Sequence, residues 1–211
     1  MRRIPFIFYC LTFFCCLCVS SAVMAAQTDL RTVLTDIEKR SQKIITISSD
    51  FVQETHLSMF DDTVVSTGHF MFKAKDKLRW EYLTPIEDGF ALDGTTGVRW
   101  NGTDGTRQPF TLQNDPVMHV VATQLLAWAS FDQQWLTKEY DIKITASSPL
   151  TFTLTPKSAA ARTVMSTITI VFSQHRDSVQ RVELHENGQD FTCITFTNTV
   201  INGPVPDATF R

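Results

Sequence analysis

Cysteine is nearly absent from most of this sequence. Four of its five cysteines, Cys10, Cys15, Cys16 and Cys18, sit close to the start, and beyond them only Cys193 remains. No disulfide framework can staple one copy of the chain. Cys193, between Phe191 and Ile194 in a strand-like run, reads as a small buried apolar side chain. The five histidines are scattered, with no i, i+4 pair to put two imidazoles on one helix face, so no zinc signature is present and no metal site is expected. No Gly-x-Ser-x-Gly elbow occurs. The glycines at 94, 97, 102 and 105 lie between strand-like runs with no helix to follow, which removes the phosphate loop and any cofactor it would hold.

A basic excess is missing too. Nineteen lysines and arginines face 22 aspartates and glutamates, a net charge of -3. Duplex nucleic acid rewards clustered lysine and arginine, and single strands need a basic groove beside the aromatics, so no nucleic-acid partner is expected. Carboxylate pairs such as Asp61-Asp62, Glu87-Asp88, or Glu81 with Glu87 fall on turns or solvent faces and make a poor glycosidase site. Asn101-Gly102-Thr103 matches a glycosylation sequon but reads better as a hairpin turn.

Long apolar runs are limited to one. Arg2 and Arg3 precede a continuous apolar stretch from Ile4 to Val19, and small residues follow from Ser20 to Ala25. With Val23 and Ala25 at the positions a signal peptidase reads, residues 1–25 are expected to be a signal peptide cleaved before Ala26, leaving a periplasmic chain. A membrane anchor is the competing reading, and the small-residue exit without a positive flank favours cleavage. None of the early cysteines fits a lipoprotein signal, so the protein itself is expected to carry no lipid. Loss of Arg2 and Arg3 takes the net charge from -3 to -5. Residues 26–211 suffice for one substantial core and form a single expected domain.

What is there is mostly alternation. From Thr28 to about Thr46, Leu30, Val33, Leu34, Ile37 and Ile44 mark one amphipathic helix. The period then changes to two. Strands are predicted at Ile47–Ser58, Val64–Lys73, Lys77–Leu83, Glu87–Leu92, Val98–Trp100 and Thr106–Leu112, joined by turn residues. "DPVMHVVATQLLAWASFDQQWL" interrupts them as a helical insert, with Asp115 as its cap and Pro116 at its first position. Strands resume at Tyr140–Thr145, Leu150–Thr155, Val164–Phe172, Gln180–Leu184 and Phe191–Asn198. The fold class is therefore mainly β with helices (α+β): one large antiparallel sheet, helices on one side, curled by accumulated twist into a barrel or half barrel.

Parity along the first hairpins gathers aromatics. Phe70 and Phe72 point one way, Leu78, Trp80 and Tyr82 share that face on the next strand, and Phe90 with Leu92, then Val98 with Trp100, extend it. Such a face is a solid core or the wall of a cavity, and alternation alone fits both.

The order and spacing of these motifs resemble the LolA-type periplasmic outer-membrane lipoprotein carrier family, from the first helix to about Phe210. The resemblance rests on Asp50-Phe51-Val52-Gln53, on "GHFMFKAKDKLRWEYLTP", "DGTTGVRW" and "FTLTPKS", and on the ending "FTNTVINGPVPDATF". It implies an unclosed antiparallel half β-barrel of about eleven strands with a helical lid, and a non-enzymatic, monomeric carrier without cofactor. The implied cavity wall is Phe70, Phe72, Leu78, Trp80, Tyr82, Phe90, Leu92 and Trp100, and the implied lid residues are Val117, Met118, Val121, Leu125 and Trp128. The implied partners are an acylated lipoprotein or lipid cargo, an inner-membrane release complex and an outer-membrane acceptor. A chain of about sixteen carbons represents on the order of 12 kcal/mol of exposed apolar surface, which gives a carrier its reason to exist.

Two departures stand out. Ala74-Lys75 replaces the Arg-Pro pair whose arginine ties the lid to the barrel in the family, leaving Lys73 or Lys75 as substitutes without a forked donor. The chain also ends near Phe210, short of the extra carboxyl-terminal segment of some carriers, which leaves cargo and transfer partners open. Two rival readings remain: an accessory carrier for a glycolipid or pigment-lipid on the same fold, and a lipid- or glycan-acting enzyme, which would need a perturbed polar cluster inside the cavity.

Overall fold

The computed structural model describes residues 29–59 and 62–211, so the expected signal peptide lies outside the described residues, as does Asp61. Helix α1, Leu30–Ser41, starts where the Asp29 carboxylate accepts from the Arg31 amide, and Lys39 and Arg40 close it where cations favour a helix C-terminus. It buries Val33, Leu34 and Ile37. It stops earlier than the apolar spacing predicts. The run Ile44-Ile45-Thr46-Ile47 is β-branched, which favours extended backbone, and from Thr46 the chain pairs on both sides.

Six strands follow as a meander: β1 Thr46–His56, β2 Thr63–Lys73, β3 Lys77–Thr84, β4 Gly89–Asp93, β5 Thr96–Asn101 and β6 Thr106–Thr111. The insert comes next as two helices, α2 Pro116–Ala129 and α3 Gln133–Glu139, where the sequence suggested one segment. The break lies at Phe131, whose φ of 48° leaves the helical region, and Asp132 then caps α3 by accepting from the Trp135 amide. The second meander is β7 Tyr140–Ser147, β8 Leu150–Pro156, β9 Met165–Phe172, β10 Val179–Glu186 and β11 Phe191–Ile201. A six-residue helix α4, Ala159–Val164, capped by Ser158, takes the place of the expected start of β9 at Val164. A 3-10 turn at Asp207–Phe210 ends the chain against β3 and β4, with Phe210 buried.

The eleven strands of the described residues form one antiparallel sheet in the order β6-β5-β4-β3-β2-β1-β11-β10-β9-β8-β7, which is not closed into a barrel. Among the described residues the two meanders are hydrogen-bonded to each other through β1 and β11. The sheet's edges, β6 and β7, are consecutive in the chain, so α2 and α3 run from one edge to the other across the inner face. That face carries Phe51, Phe70, Phe72, Leu78, Trp80 and Leu92, and the outer face carries Asp50, His69, Arg79 and Glu81. Gly68 is required beneath Phe51, because a Cβ there would collide with the phenyl ring.

Candidate functional site

Buried apolar side chains on the inner face divide into two clusters. One joins Phe51, Phe72, Leu78, Phe90 and Leu92 of the first meander to Met118 and Ala122 of α2. The other joins Phe152, Leu154, Ile168, Ile170 and Phe172 of the second meander to Val33 and Ile37 of α1 and Leu136 of α3. Phe196 of β11 packs against both.

Between them lies an apolar cavity of about 110 Å³. Its floor is Phe152, Leu154, Ile170 and Phe172 of β8 and β9, with Val182, Ile194 and Phe196. The first meander contributes Ile47, Phe70 and Trp80, the insert Leu125, Trp128 and Phe131, and α1 with the segment after it Ile37 and Ile44. Half-exposed Arg176, Asp177 and Ser178 of the β9–β10 hairpin, with Ser41, form its polar side. Asp177 is engaged there by the Ser173 and Ser178 hydroxyls. The hairpin is tied to α1 by Arg40, which donates to the His175 carbonyl and to Asp36, and that guanidinium holds the Asp36 carboxyl below its ordinary range.

The expected wall residues separate accordingly. Phe70 and Trp80 line the cavity, as do Leu125 and Trp128 of the expected lid. Phe72, Leu78, Phe90 and Leu92 face the same side but belong to the cluster with Met118 of α2, Tyr82 sits at the margin of that cluster beside Phe51 and Trp80, and none of the five lines the cavity. Tyr82 donates its hydroxyl to Gln53 Oε1 at 2.9 Å, and burial pushes its pKa up. Val117 is 69% exposed on the outside of α2.

Trp100 is a correction. It pairs with Gly89 on the outer face, where the Arg79 guanidinium stacks 4.6 Å and that of Arg107 5.4 Å from its ring. The cause is the turn: Asp93 pairs with Thr96, so only Gly94 and Thr95 lie between the strands, and Gly94 has a φ of 70°. Leu92 then meets Gly97 instead of Val98, and one position of slip moves every later side chain of β5 to the other face.

The lysines do not take the place of the family's arginine. Lys73 donates to the Val205 carbonyl and to Asp207 in the terminal segment, and Lys75 is exposed in the β2–β3 turn. α2 is held from another strand: Arg99 of β5 meets Asp115 at 2.9 Å, and the same carboxylate caps α2 by accepting from the Met118 amide. Gln124, further along α2, donates to the Tyr140 hydroxyl at 3.3 Å.

The polar set most like enzyme machinery lies elsewhere. His69 contacts Asp50 at 2.7 Å, and Asn198, donating to the same carboxylate, is the main cause that holds it below its ordinary pKa. These three are on the outer face, and none of them lines the cavity.

The cavity residues Phe152, Ile170 and Val182, which dominate the floor, were not singled out from the sequence. Their signal was present as the clean alternation Leu150, Phe152, Leu154 and Ile168, Ile170, Phe172.

Among solved structures, a conserved protein of Thermus thermophilus matches with a TM-score of 0.55 at 6% identity, over 86% of this chain and 93% of that one. The MucA/MucB complex of Pseudomonas aeruginosa matches with a TM-score of 0.52 at 14% identity, over 84% of this chain and 59% of the other, so this chain spans about three-fifths of that length. The Mycobacterium tuberculosis lipoprotein LppX follows at 0.45 and 12%, over 84% and 99%. No curated protein matches the sequence. The family model described as outer membrane lipoprotein carrier protein LolA matches residues 42–211, and that family consists of extracytoplasmic carriers and binders of lipid or lipoprotein rather than enzymes. With most of its length covered by that match, the chain belongs to the LolA family.

Proposed function

We propose that the protein is a soluble periplasmic carrier that takes the acyl chains of a lipoprotein or related lipid into the cavity between the two meanders and shuttles them from inner to outer membrane. One observation carries this reading: an apolar cavity is roofed by helices that link the two free edges of the sheet. A roof of that kind can lift without breaking strand pairing. At about 110 Å³ the cavity is smaller than the roughly 300–1,000 Å³ of drug-sized ligand sites, so an acyl chain enters only if α2 and α3 move away. The polar ties that such a movement must break are Arg99–Asp115 and Gln124–Tyr140 from α2, and the bond from Lys157 Nζ to the Thr137 carbonyl of α3. No helix among the described residues is long and apolar enough to cross a membrane.

The test is native mass spectrometry of protein taken gently from its own periplasm, followed by transfer assays from inner-membrane vesicles loaded with acylated lipoprotein. A stoichiometric complex with chemically unchanged cargo supports the reading, and a glycolipid passenger moves it to the accessory-carrier alternative. Cleaved cargo, or no uptake of any acylated molecule, overturns it.

A further inference from the structure

One of the side chains that line the cavity carries a buried polar atom without a partner among the described residues. Ser41 donates to the Glu38 carbonyl, Ser49 and Thr199 bond each other, and Ser178 donates to Asp177. Arg176 donates to the Ser147 carbonyl. The indole Nε1 of Trp128 is buried, and among the described residues nothing accepts from it. Trp128 lines the cavity at the C-terminal end of α2, so its ring belongs to the roof under which an acyl chain would lie. A buried donor left unmade loses its hydration without replacement, and such groups are rare enough in folded proteins that each calls for a cause.

We infer that Trp128 Nε1 donates to the carbonyl oxygen of the acyl group, so that the cavity selects esters and amides of fatty acids over bare hydrocarbon or alkyl ethers. This inference rests on the carrier reading and adds to it where along the cargo the protein recognises polarity. An indole N–H is a donor only, and the acceptor that suits it in an apolar wall is neutral and compact. An ester or amide oxygen at the head of an acyl chain is that acceptor, and it brings its own apolar tail to fill the remaining space. The tail supplies the affinity and the single hydrogen bond fixes how far the chain slides in.

The experiment compares two probes that differ only at this point, 1-monopalmitoylglycerol and 1-O-hexadecylglycerol, on the wild-type chain and on Trp128→Phe. Binding is read by titration, and the indole N–H resonances by two-dimensional NMR, where the one missing in the variant identifies Trp128. The ester is expected to move the Trp128 N–H resonance downfield while the ether does not, and Trp128→Phe is expected to bind the ester about five-fold more weakly, the worth of one neutral hydrogen bond. A far-ultraviolet circular dichroism spectrum and a melting curve close to wild type show that the roof of the variant still folds, and the ester-to-ether affinity ratio is the quantity the variant is expected to lose. Equal affinity of ester and ether for the wild type, with no selective resonance shift, overturns the inference and leaves the carrier reading standing. If neither probe binds the wild type, the carrier reading falls as well. Gln133 Oε1 is also buried and unpartnered. A Trp128 resonance that moves in ligand-free Gln133→Met would show these two groups to be partners, and that too overturns it.

Discussion

The two meanders are built from the same kind of strand, yet they do different things with their inner faces. In β2–β4 the aromatic and aliphatic side chains interlock with α2, and Phe72, Leu78 and Leu92 are at most 1% exposed. In β8–β10 the residues are just as apolar and are buried among side chains of α1 and α3, yet Phe152, Leu154, Ile170, Phe172 and Val182 also border the cavity. What separates core from binding site is therefore the placement of the covering helices. α2 lies along the first meander, whereas α3 is short, follows a break at Phe131, and reaches the edge strand β7 after only seven residues. A well-packed half can hold the shape of the protein while the other half opens.

The largest expected effect tests the solid half. Phe72→Ala should cost about 3–5 kcal/mol, because the ring is enclosed by neighbours that cannot collapse into the gap, and thermal unfolding should shift down by roughly 10 °C. Affinity for an acyl probe at temperatures where the variant is folded should change little. A large loss of binding with unchanged melting would mean that this half, too, is a binding wall.

Filling the cavity is the complementary change. Val182→Phe places extra volume where space already exists, so its stability should stay within about 1 kcal/mol of wild type while acyl-probe affinity falls at least ten-fold. Titration with a fluorescent fatty acid, beside a melting curve, decides this, and undiminished binding would put the cargo somewhere else.

The boundary between the halves is sharpened by Arg99→Gln. Loss of the Arg99–Asp115 ion pair frees the start of α2 at a partly exposed contact worth up to about 1 kcal/mol. Release of a bound acyl probe, followed by stopped flow, should become a few times faster, and the wild-type rate should approach the variant's as salt is raised. Identical off-rates at low salt would show that α2 is not held there.

The smallest effect concerns the segment that covers the outer face of β3 and β4. Lys73 and Lys77 hold the Asp207 carboxyl below its ordinary range, and Lys77 does the same to Asp93, whose carboxylate in turn raises Lys77. Depressed carboxylates stabilise above their unfolded value near pH 4 and lose that contribution as pH falls through the lower folded value. A raised lysine stabilises below about pH 10 and loses its contribution as pH climbs past the folded value. Hydrogen exchange at residues 207–210 should therefore show constant protection between these limits, once corrected for intrinsic rates, and faster exchange in acid. Acid exchange that follows the intrinsic rate alone would remove these pairs as the clamp.

Much of this architecture was legible in the residues. Alternation placed the eleven strands to within a few positions, since most of them, such as β3, β8 and β9, bury alternate side chains, although β5 buries none. It could not separate wall from core, because Phe70, which lines the cavity, and Phe72, which does not, are equivalent by parity and differ only in what lies above them. Trp100 was misplaced because a five-residue turn and a two-residue turn suit the same Asp-Gly-Thr-Thr-Gly stretch, and the choice inverts the strand. The break at Phe131 had a partial signal in Asp132, a capping residue inside an apolar run. α4 had none beyond Ser158, being too short for a helical period to show. Arg99 was invisible as a tie for α2, since nothing local connects it with Asp115 across a strand and a turn.

The seam between β1 and β11 has a kinetic meaning. Within each meander neighbouring strands are close in sequence, whereas Ser49 and Thr199, which bond across the seam, are 150 residues apart in the chain. Loop-closure entropy makes that contact the last to be rewarded, so each meander can gain local order before the two are joined. The cavity takes residues from both sides of the seam and exists only after it closes. A chain that has not finished folding therefore has nowhere to hold an acyl tail, and the capacity to bind cargo arrives together with the native topology.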